Sequence, residues 1–158
     1  NRKTKEELRR LGIARGTASV ELNDRELARI GIEEQVFIAY GYQPVMISAG
    51  CIQKTSASCD GKGGVLSISD RYQKKFAVRR YCRDCYNVMY NSAPLFLADE
   101  AEEVHALAPA ELRLDFTTES SGQVKEICHA YTLAFEKGCK TEPPMQDYTR
   151  GHFKRGVK

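Results

Sequence analysis

The chain has 158 residues and a mass of 17.8 kDa; 42% of the residues are hydrophobic, 28% are charged, and the formal net charge is +3. This composition is that of a folded protein rather than a disordered chain, and no apolar run approaches the ~20 residues that a membrane-spanning helix needs. The length argues against a complete eight-unit βα barrel, which takes ~250 residues. Because the N-terminus has no signal-peptide pattern, we expect a cytoplasmic protein without a membrane partner.

The N-terminal third predicts alternating helices and strands. Thr4 begins a capping-box pattern, and Asn23 is a residue type that often starts a helix. A continuous apolar run at 35–40 is typical of a buried parallel strand. The predicted elements are a helix from Thr4, a strand at 17–22, a helix from Asn23 to Gly31, a strand at 35–40 and an extended segment at 45–48.

The middle of the chain has a different character. Residues 49–64 contain glycines, small polar residues and two cysteines, and they predict a long loop, which in a compact domain usually has a function or is disordered. Alternating patterns at 65–69 and 75–79 predict a β-hairpin with one solvent-facing side, and 86–90 predicts a further extended segment. We interpret residues 49–92 as an inserted cysteine loop and hairpin.

The last third returns to the βα order. We expect a helix at 97–108, a strand at 111–116, a long helix capped by Ser121 and stopped by Gly138, and a basic irregular tail at 140–158. Residues 1–158 therefore predict a single α/β domain with βα units at both ends. Cys128 falls on the apolar stripe of the long helix, so we expect it to be buried.

Basic residues cluster in the hairpin and in the tail. Residues 71–83 include six basic residues and no acidic one. Clustered basic side chains can follow a phosphate backbone, although a solvated hairpin face and tail explain the charge equally well. The candidate residues for such contacts are Lys74, Lys75, Arg79, Arg80, Arg150, Lys154 and Arg155.

Four of the six cysteines are candidate metal ligands. Cys82 and Cys85 form a CxxC pair that suits one metal centre, and Cys51 and Cys59 could complete four ligands from the preceding loop. The interval between Cys51 and Cys59 is wider than in a standard zinc site. A zinc site, an iron–sulfur cluster and unrelated loop thiols therefore all remain possible interpretations. No histidine falls in a recognisable nucleophile–base pattern, and no HExxH, Walker or GxGxxG motif is present.

Several blocks of the sequence form a distinctive series. They are YGYQPVMIS at 40–48 followed by Cys51 and Cys59, SDR at 69–71, FAV at 76–78, CYNVMYNS at 85–92, LRLDFTTE at 112–119 and TRGHFKRGV at 149–157. Together these blocks resemble the collagenase-like peptidase family, unclassified peptidase family thirty-two. Their order and combination make the resemblance specific, and they extend from about residue 17 to the end.

The resemblance implies the C-terminal part of a longer enzyme with a TIM-like barrel, whose N-terminal part would be a partner of this chain. Relatives are similar to iron–sulfur proteins that hydroxylate RNA bases or quinone precursors without molecular oxygen, with prephenate as co-substrate for RNA. The implied ligands of a 4Fe–4S cluster are Cys51 and Cys59, followed by Cys82, Cys85 or both. We therefore expect an RNA hydroxylase; a peptidase of unknown catalytic type and a structural half-barrel with zinc are the alternatives.

Arg113 and Asp115 share one face of the strand at 111–116, where charge is unfavourable unless it is paired or used. One interpretation is a buried ion pair that only fixes the fold. The other is a catalytic role in which Arg113 binds a carboxylate of the anionic co-substrate and Asp115 orients it. His152, in the tail, would then close over the site.

Overall fold

The computed structural model describes residues 2–13, 15–56 and 58–156. They form two compact units, one made of the described residues before Tyr42 and after Pro94, the other of Tyr42–Pro94. The architecture is mixed α/β. A 3-10 turn at Ala98–Glu100 precedes the fourth helix. The elements are α1 (Arg2–Arg10), β1 (Gly16–Thr17), α2 (Asp24–Ile30), β2 (Gln35–Gly41), β3 (Pro44–Ser48), α3 (Ile52–Ser56), β4 (Gly64–Ser69), β5 (Lys75–Tyr81), β6 (Tyr86–Tyr90), β7 (Leu95–Phe96), α4 (Ala101–Ala106), β8 (Glu111–Asp115) and α5 (Ser121–Lys137).

The sheet of the first unit is centred on β2. β1 and β8 pair with β2 in parallel, whereas β7 pairs with it antiparallel. The register of β2 and β8 runs from Val36↔Glu111 to Gly41↔Asp115, so the carboxyl ends of both strands lie together. The described residues contain two four-stranded sheets and no closed barrel. The TIM-like barrel therefore stays a prediction about a longer enzyme.

The long helix α5 packs on the central strand. Its buried face includes Ile127, Tyr131 and Ala134. The Tyr131 hydroxyl donates to Ala39 O at 2.6 Å and accepts from Leu97 N at 2.9 Å, and burial raises the pKa of this phenol well above its usual range. Because these hydrogen bonds are buried, they fix α5 against β2 and against the segment after β7.

The helix ends confirm much of the predicted capping. Asn23 and Glu26 form a complete capping box at the start of α2. The N-cap of α5 is Ser120 instead of the predicted Ser121, and the helix ends at Gly138, whose φ of 62° suits glycine. None of the helices in the described ranges is both long enough and apolar enough to cross a membrane.

Three local predictions were wrong in detail. α1 begins at Arg2, so Thr4 lies inside the helix instead of at its N-cap. The strand predicted at 17–22 is limited to β1, because the chain turns, with Leu22 N donating to Ser19 O at 3.5 Å, before the cap of α2. The loop at 49–64 contains the short helix α3.

The described part of the tail, residues 140–156, has the irregular backbone that the sequence predicts, but it packs on the first unit. Thr149 forms a parallel bridge with Leu95. Phe153 is 3% exposed and makes an edge contact with Phe37, with ring centroids 5.9 Å apart. A buried aromatic side chain therefore attaches the end of the chain to the hydrophobic core.

The second unit is an antiparallel sheet with the strand order β3–β6–β5–β4. The predicted hairpin is confirmed as β4–β5, which pairs from Gly64↔Arg80 to Ser69↔Lys75. β5 and β6 form a second hairpin, which the sequence analysis did not predict. The turn of this second hairpin consists of residues 82–85 and therefore contains the CxxC pair.

Candidate metal centre

The CxxC pair lies in a tight turn between β5 and β6. The last residue pair of the hairpin is Tyr81↔Tyr86, and the two rings stack with centroids 4.6 Å apart. Asp84 N donates to Tyr81 O at 3.2 Å, and Cys85 has a left-handed φ of 53°, which is uncommon for a residue with a side chain. The hairpin thereby fixes the backbone that presents Cys82 and Cys85.

Cys82 is the point at which three cysteine-bearing segments meet. Its thiol is half-buried and donates to Lys62 O at 3.2 Å, three residues beyond Cys59. Burial raises the pKa of the Cys82 thiol, the charge of Arg80 partly offsets this, and the thiols of Cys59 and Cys51 raise the pKa further. Charges influence a pKa in this way only over short distances. The structure therefore brings Cys51, Cys59 and Cys82 into one neighbourhood.

Cys85 is exposed, and its thiol donates to Cys82 O at 3.7 Å. All six cysteines are free thiols. Within the described residues, no three His, Cys, Asp or Glu side chains are held in coordinating geometry. The donors still suit zinc or an iron–sulfur cluster in their chemistry, because three thiols share one neighbourhood and a fourth belongs to the same turn as Cys82. The four-ligand set stays a prediction.

A polar row crosses the sheet of the second unit. Its members, paired in register on adjacent strands, are Ser48, Asn87 and Arg80. Asn87 is 2% exposed, and its Nδ2 donates to Gly50 O at 2.8 Å, next to Cys51. Arg80 Nη1 pairs with Asp60 Oδ1 at 3.2 Å, and Asp60 follows Cys59 in the chain. The polar row therefore contacts both loop segments that carry cysteines.

The tip of the β4–β5 hairpin presents an aromatic ring among basic side chains. Tyr72 is 69% exposed, and the Arg71 guanidinium lies 4.7 Å from the centroid of its ring. Asp70 Oδ1 accepts from Tyr72 N at 2.8 Å and from Lys74 N at 2.9 Å, which organises the turn. Lys75 is exposed at the start of β5. The sequence analysis missed Tyr72, although its place inside the basic segment was a usable signal.

The remaining basic candidates on β5 have protein partners. Burial and the neighbouring Tyr81 raise the pKa of Tyr90, and the nearby charge of Arg79 partly offsets this rise. The side chain of Arg80 is 9% exposed and pairs with Asp60. Little of the Arg80 guanidinium is thus available to a phosphate in solution, whereas Lys75 at the hairpin tip is accessible.

In the tail, acidic side chains of the first unit surround the basic residues. Arg150 pairs with Asp99 and, through Nε, with Glu100 Oε1 at 2.7 Å. Lys154 Nζ lies 2.6 Å from Glu100 Oε2 and 2.8 Å from Glu103 Oε1, and these hydrogen bonds raise the pKa of Lys154. The pairs offset much of the positive charge that the sequence assigns to the tail. Arg155 is exposed.

Arg113 and Asp115 form an ion pair at the carboxyl end of β8. Nε and Nη2 of Arg113 lie 2.8 and 3.0 Å from the two carboxylate oxygens, and Nη1 is 3.4 Å from Thr17 Oγ1. The side chains of Arg113 and Asp115 are 44% and 39% exposed, so they do not form the buried ion pair that one interpretation of the sequence expected. His152 Nδ1 donates to Gly156 O at 3.1 Å, within its own turn. Within the part of the chain that the structure describes, no contact joins His152 to Arg113.

The structure brings together only part of the predicted site. Three of the four candidate ligands share a neighbourhood, and Arg113 contacts Asp115 as the sequence suggests. Cys128, predicted to be buried, is exposed on α5. No family model, curated protein or solved structure matches the chain.

Proposed function

We propose that this chain is the C-terminal part of an iron–sulfur enzyme that hydroxylates RNA, and that its second unit binds the cluster. The observation that carries the proposal is that three cysteine-bearing segments meet beside β5 and β6: Cys82 contacts Lys62 O, Arg80 pairs with Asp60 next to Cys59, and Asn87 donates to Gly50 O next to Cys51. In this proposal the N-terminal part of the longer enzyme completes a TIM-like barrel, and the enzyme works in the cytoplasm. A peptidase is the alternative, but no hydrogen bond among the described residues joins a serine, threonine or cysteine nucleophile to a histidine base.

The thiols would hold the cluster as thiolates. Cys51, Cys59 and Cys82 are the proposed ligands from separate segments, and Cys85 is the proposed fourth, because the hairpin turn presents it beside Cys82. When bound, the cluster supplies one-electron chemistry that no side chain can perform. Zinc fits the same donors, and the resemblance favours iron–sulfur. A thiol must lose its proton to become a metal ligand. Because the pKa of Cys82 is raised, its thiol stays protonated to a higher pH, so metal uptake should increase with pH.

The hairpin tip supports RNA as the partner. An exposed tyrosine can stack on an unpaired base, and neighbouring lysines can contact phosphates. The tip has this combination in Tyr72, Arg71, Lys74 and Lys75. Because a stacked ring accepts any base, the tip would supply affinity for a single strand and would leave the choice of the modified base to other parts of the enzyme.

Arg113 is the proposed binding residue for a carboxylate of the co-substrate, which the resemblance implies to be prephenate. A guanidinium binds a carboxylate through a planar pair of N–H groups, and Asp115 already holds Arg113 by two such contacts. In this proposal Asp115 orients Arg113, whose side chain is exposed enough to meet a small anion. The role of His152 stays a prediction from the sequence alone.

Substitutions at the hairpin tip are expected to separate stacking from charge in RNA binding. Tyr72→Ala should weaken binding of a single-stranded RNA by about 1–3 kcal/mol without changing its salt dependence, because a stacked base is lost. Lys75→Ala should lower the slope of log K against log salt by about 0.7, the value for one phosphate of a single strand. Fluorescence anisotropy of a labelled RNA over a salt series measures both quantities.

The matched control is Lys125→Ala, which removes one exposed lysine from α5 in the other unit. We expect this variant to bind RNA with the affinity and salt slope of the unsubstituted chain. If the three variants bind alike, the hairpin tip is not an RNA contact. RNA as the partner would then lose its structural support, whereas the proposal of a cluster would be unaffected.

A further inference from the structure

Arg80 is a nearly buried cation beside the cysteine segments. Its side chain is 9% exposed, although it belongs to a strand rich in basic residues. Nη1 pairs with Asp60, whereas Nε is buried and has no hydrogen-bond partner among the residues that the structure describes. A buried N–H group of a charged side chain is unfavourable without an acceptor, so the position of Nε indicates that an acceptor belongs there.

The surroundings of Arg80 identify the kind of acceptor. Asp60 follows Cys59, and Cys82 lies two residues beyond Arg80, in the turn that directly follows β5, where its thiol contacts Lys62 O. Asn87, the cross-strand partner of Arg80, holds Gly50 O next to Cys51. The three cysteine segments thus lie around one guanidinium. Thiolates gathered at a metal concentrate negative charge, and a buried cation with a free N–H stabilises that charge.

We propose that Arg80 is a positioning residue for the cluster and donates its Nε–H group to a metal-bound sulfur. The inference rests on the proposed function, since it requires a thiolate-bound cluster in the second unit. Asp60 holds the other side of the guanidinium and so directs Nε away from solvent. The role differs from the phosphate contact that the sequence suggested for Arg80, which would need an exposed guanidinium.

A hydrogen bond to a cluster sulfur has a measurable electrochemical consequence. Reduction adds negative charge to the cluster, and an N–H donor with a positive charge stabilises the reduced form more than the oxidised form. Arg80→Met removes the donor and the charge but keeps an unbranched apolar side chain. The reduction potential of the Arg80→Met cluster should therefore be more negative than that of the unsubstituted chain.

The experiment compares the anaerobically reconstituted full chain with Arg80→Met, Arg80→Lys and Arg79→Met. Iron and sulfide content measures loading, and a redox titration followed by absorption measures the potential. Arg79→Met is the matched control, because it removes the same charge from the neighbouring position on the other face of β5. We expect a more negative potential for Arg80→Met and the unchanged potential for Arg79→Met. Arg80→Lys keeps the charge but lacks Nε–H, so its potential should lie between these values.

Each result decides a separate claim. If the unsubstituted chain takes up no iron and sulfide, the proposed function fails and the role of Arg80 fails with it. If that chain loads a cluster and Arg80→Met has the same potential, only the role of Arg80 is overturned. Asn87 Oδ1, which is buried and lacks a partner within the described part of the chain, then becomes the better acceptor for Nε–H. If Arg80→Met does not fold, Arg80→Lys decides, and an unchanged potential there overturns the inference.

Discussion

A Cys82→Ser variant is expected to lose the cluster, and a Cys128→Ser variant is expected to keep it. Cys82 is the thiol whose pKa both Cys51 and Cys59 raise, and it contacts Lys62 O in the segment that follows Cys59. Its substitution therefore removes the proposed ligand that lies nearest to the other two segments. A serine hydroxyl is a far poorer ligand for iron than a thiolate, because it does not ionise at neutral pH. Iron and sulfide analysis after anaerobic reconstitution, together with visible absorption, measures the loss.

The control is well matched, since Cys128 is a free, exposed thiol on α5 in the other unit. Cys51→Ser and Cys59→Ser are expected to behave like Cys82→Ser. Cys85→Ser tests the fourth ligand separately, because it leaves the other three thiols in place. Equal iron and sulfide content in Cys82→Ser and Cys128→Ser would show that the metal, if bound, does not use the cysteines of the second unit.

A Phe153→Ala variant is expected to lower the free energy of unfolding by about 3–5 kcal/mol, the usual cost of removing a buried phenylalanine side chain. Phe153 is 3% exposed and contacts Phe37, so its loss leaves a cavity in the core of the first unit. Urea denaturation followed by circular dichroism measures the change. Lys140→Ala, an exposed position in the same tail, should change stability by less than about 0.5 kcal/mol.

A loss of less than about 1 kcal/mol for Phe153→Ala would contradict the packing of the tail. The tail would then be the basic irregular extension that the sequence predicts, held only by its surface ion pairs. Those pairs cannot replace the ring, because each partly exposed ion pair contributes only about 0–1 kcal/mol.

The sequence predicted those parts of the fold that depend on local signals. The ends of α2 follow from its capping residues, and the start of α5 was predicted to within one residue, since the side chain of Asn23 or Ser120 bonds backbone groups within the same turn. The hairpin β4–β5 follows from alternation on both sides of one turn. Cys128 was misplaced because one helical residue corresponds to about 100° of rotation, and it lies just beside the stripe that contains Ile127.

The candidate site could be predicted only in part for a related reason. The cysteines have a visible spacing, but the polar row depends on cross-strand register, which brings Arg80 opposite Asn87 and Gly64. A basic residue in a basic strand gives no sign that it is buried, and burial is what distinguishes Arg80 from Lys75. The position of Phe153 likewise depends on contacts with distant strands, which the sequence of a basic tail does not reveal.

The most direct test of the central claim is anaerobic reconstitution of the unsubstituted chain, followed by quantification of bound iron and acid-labile sulfide and by visible absorption. The account predicts stoichiometric iron and sulfide with the broad charge-transfer absorption of thiolate-bound iron. A colourless protein that binds zinc, with neither iron nor sulfide, would contradict it and would favour a structural zinc site on the same thiols.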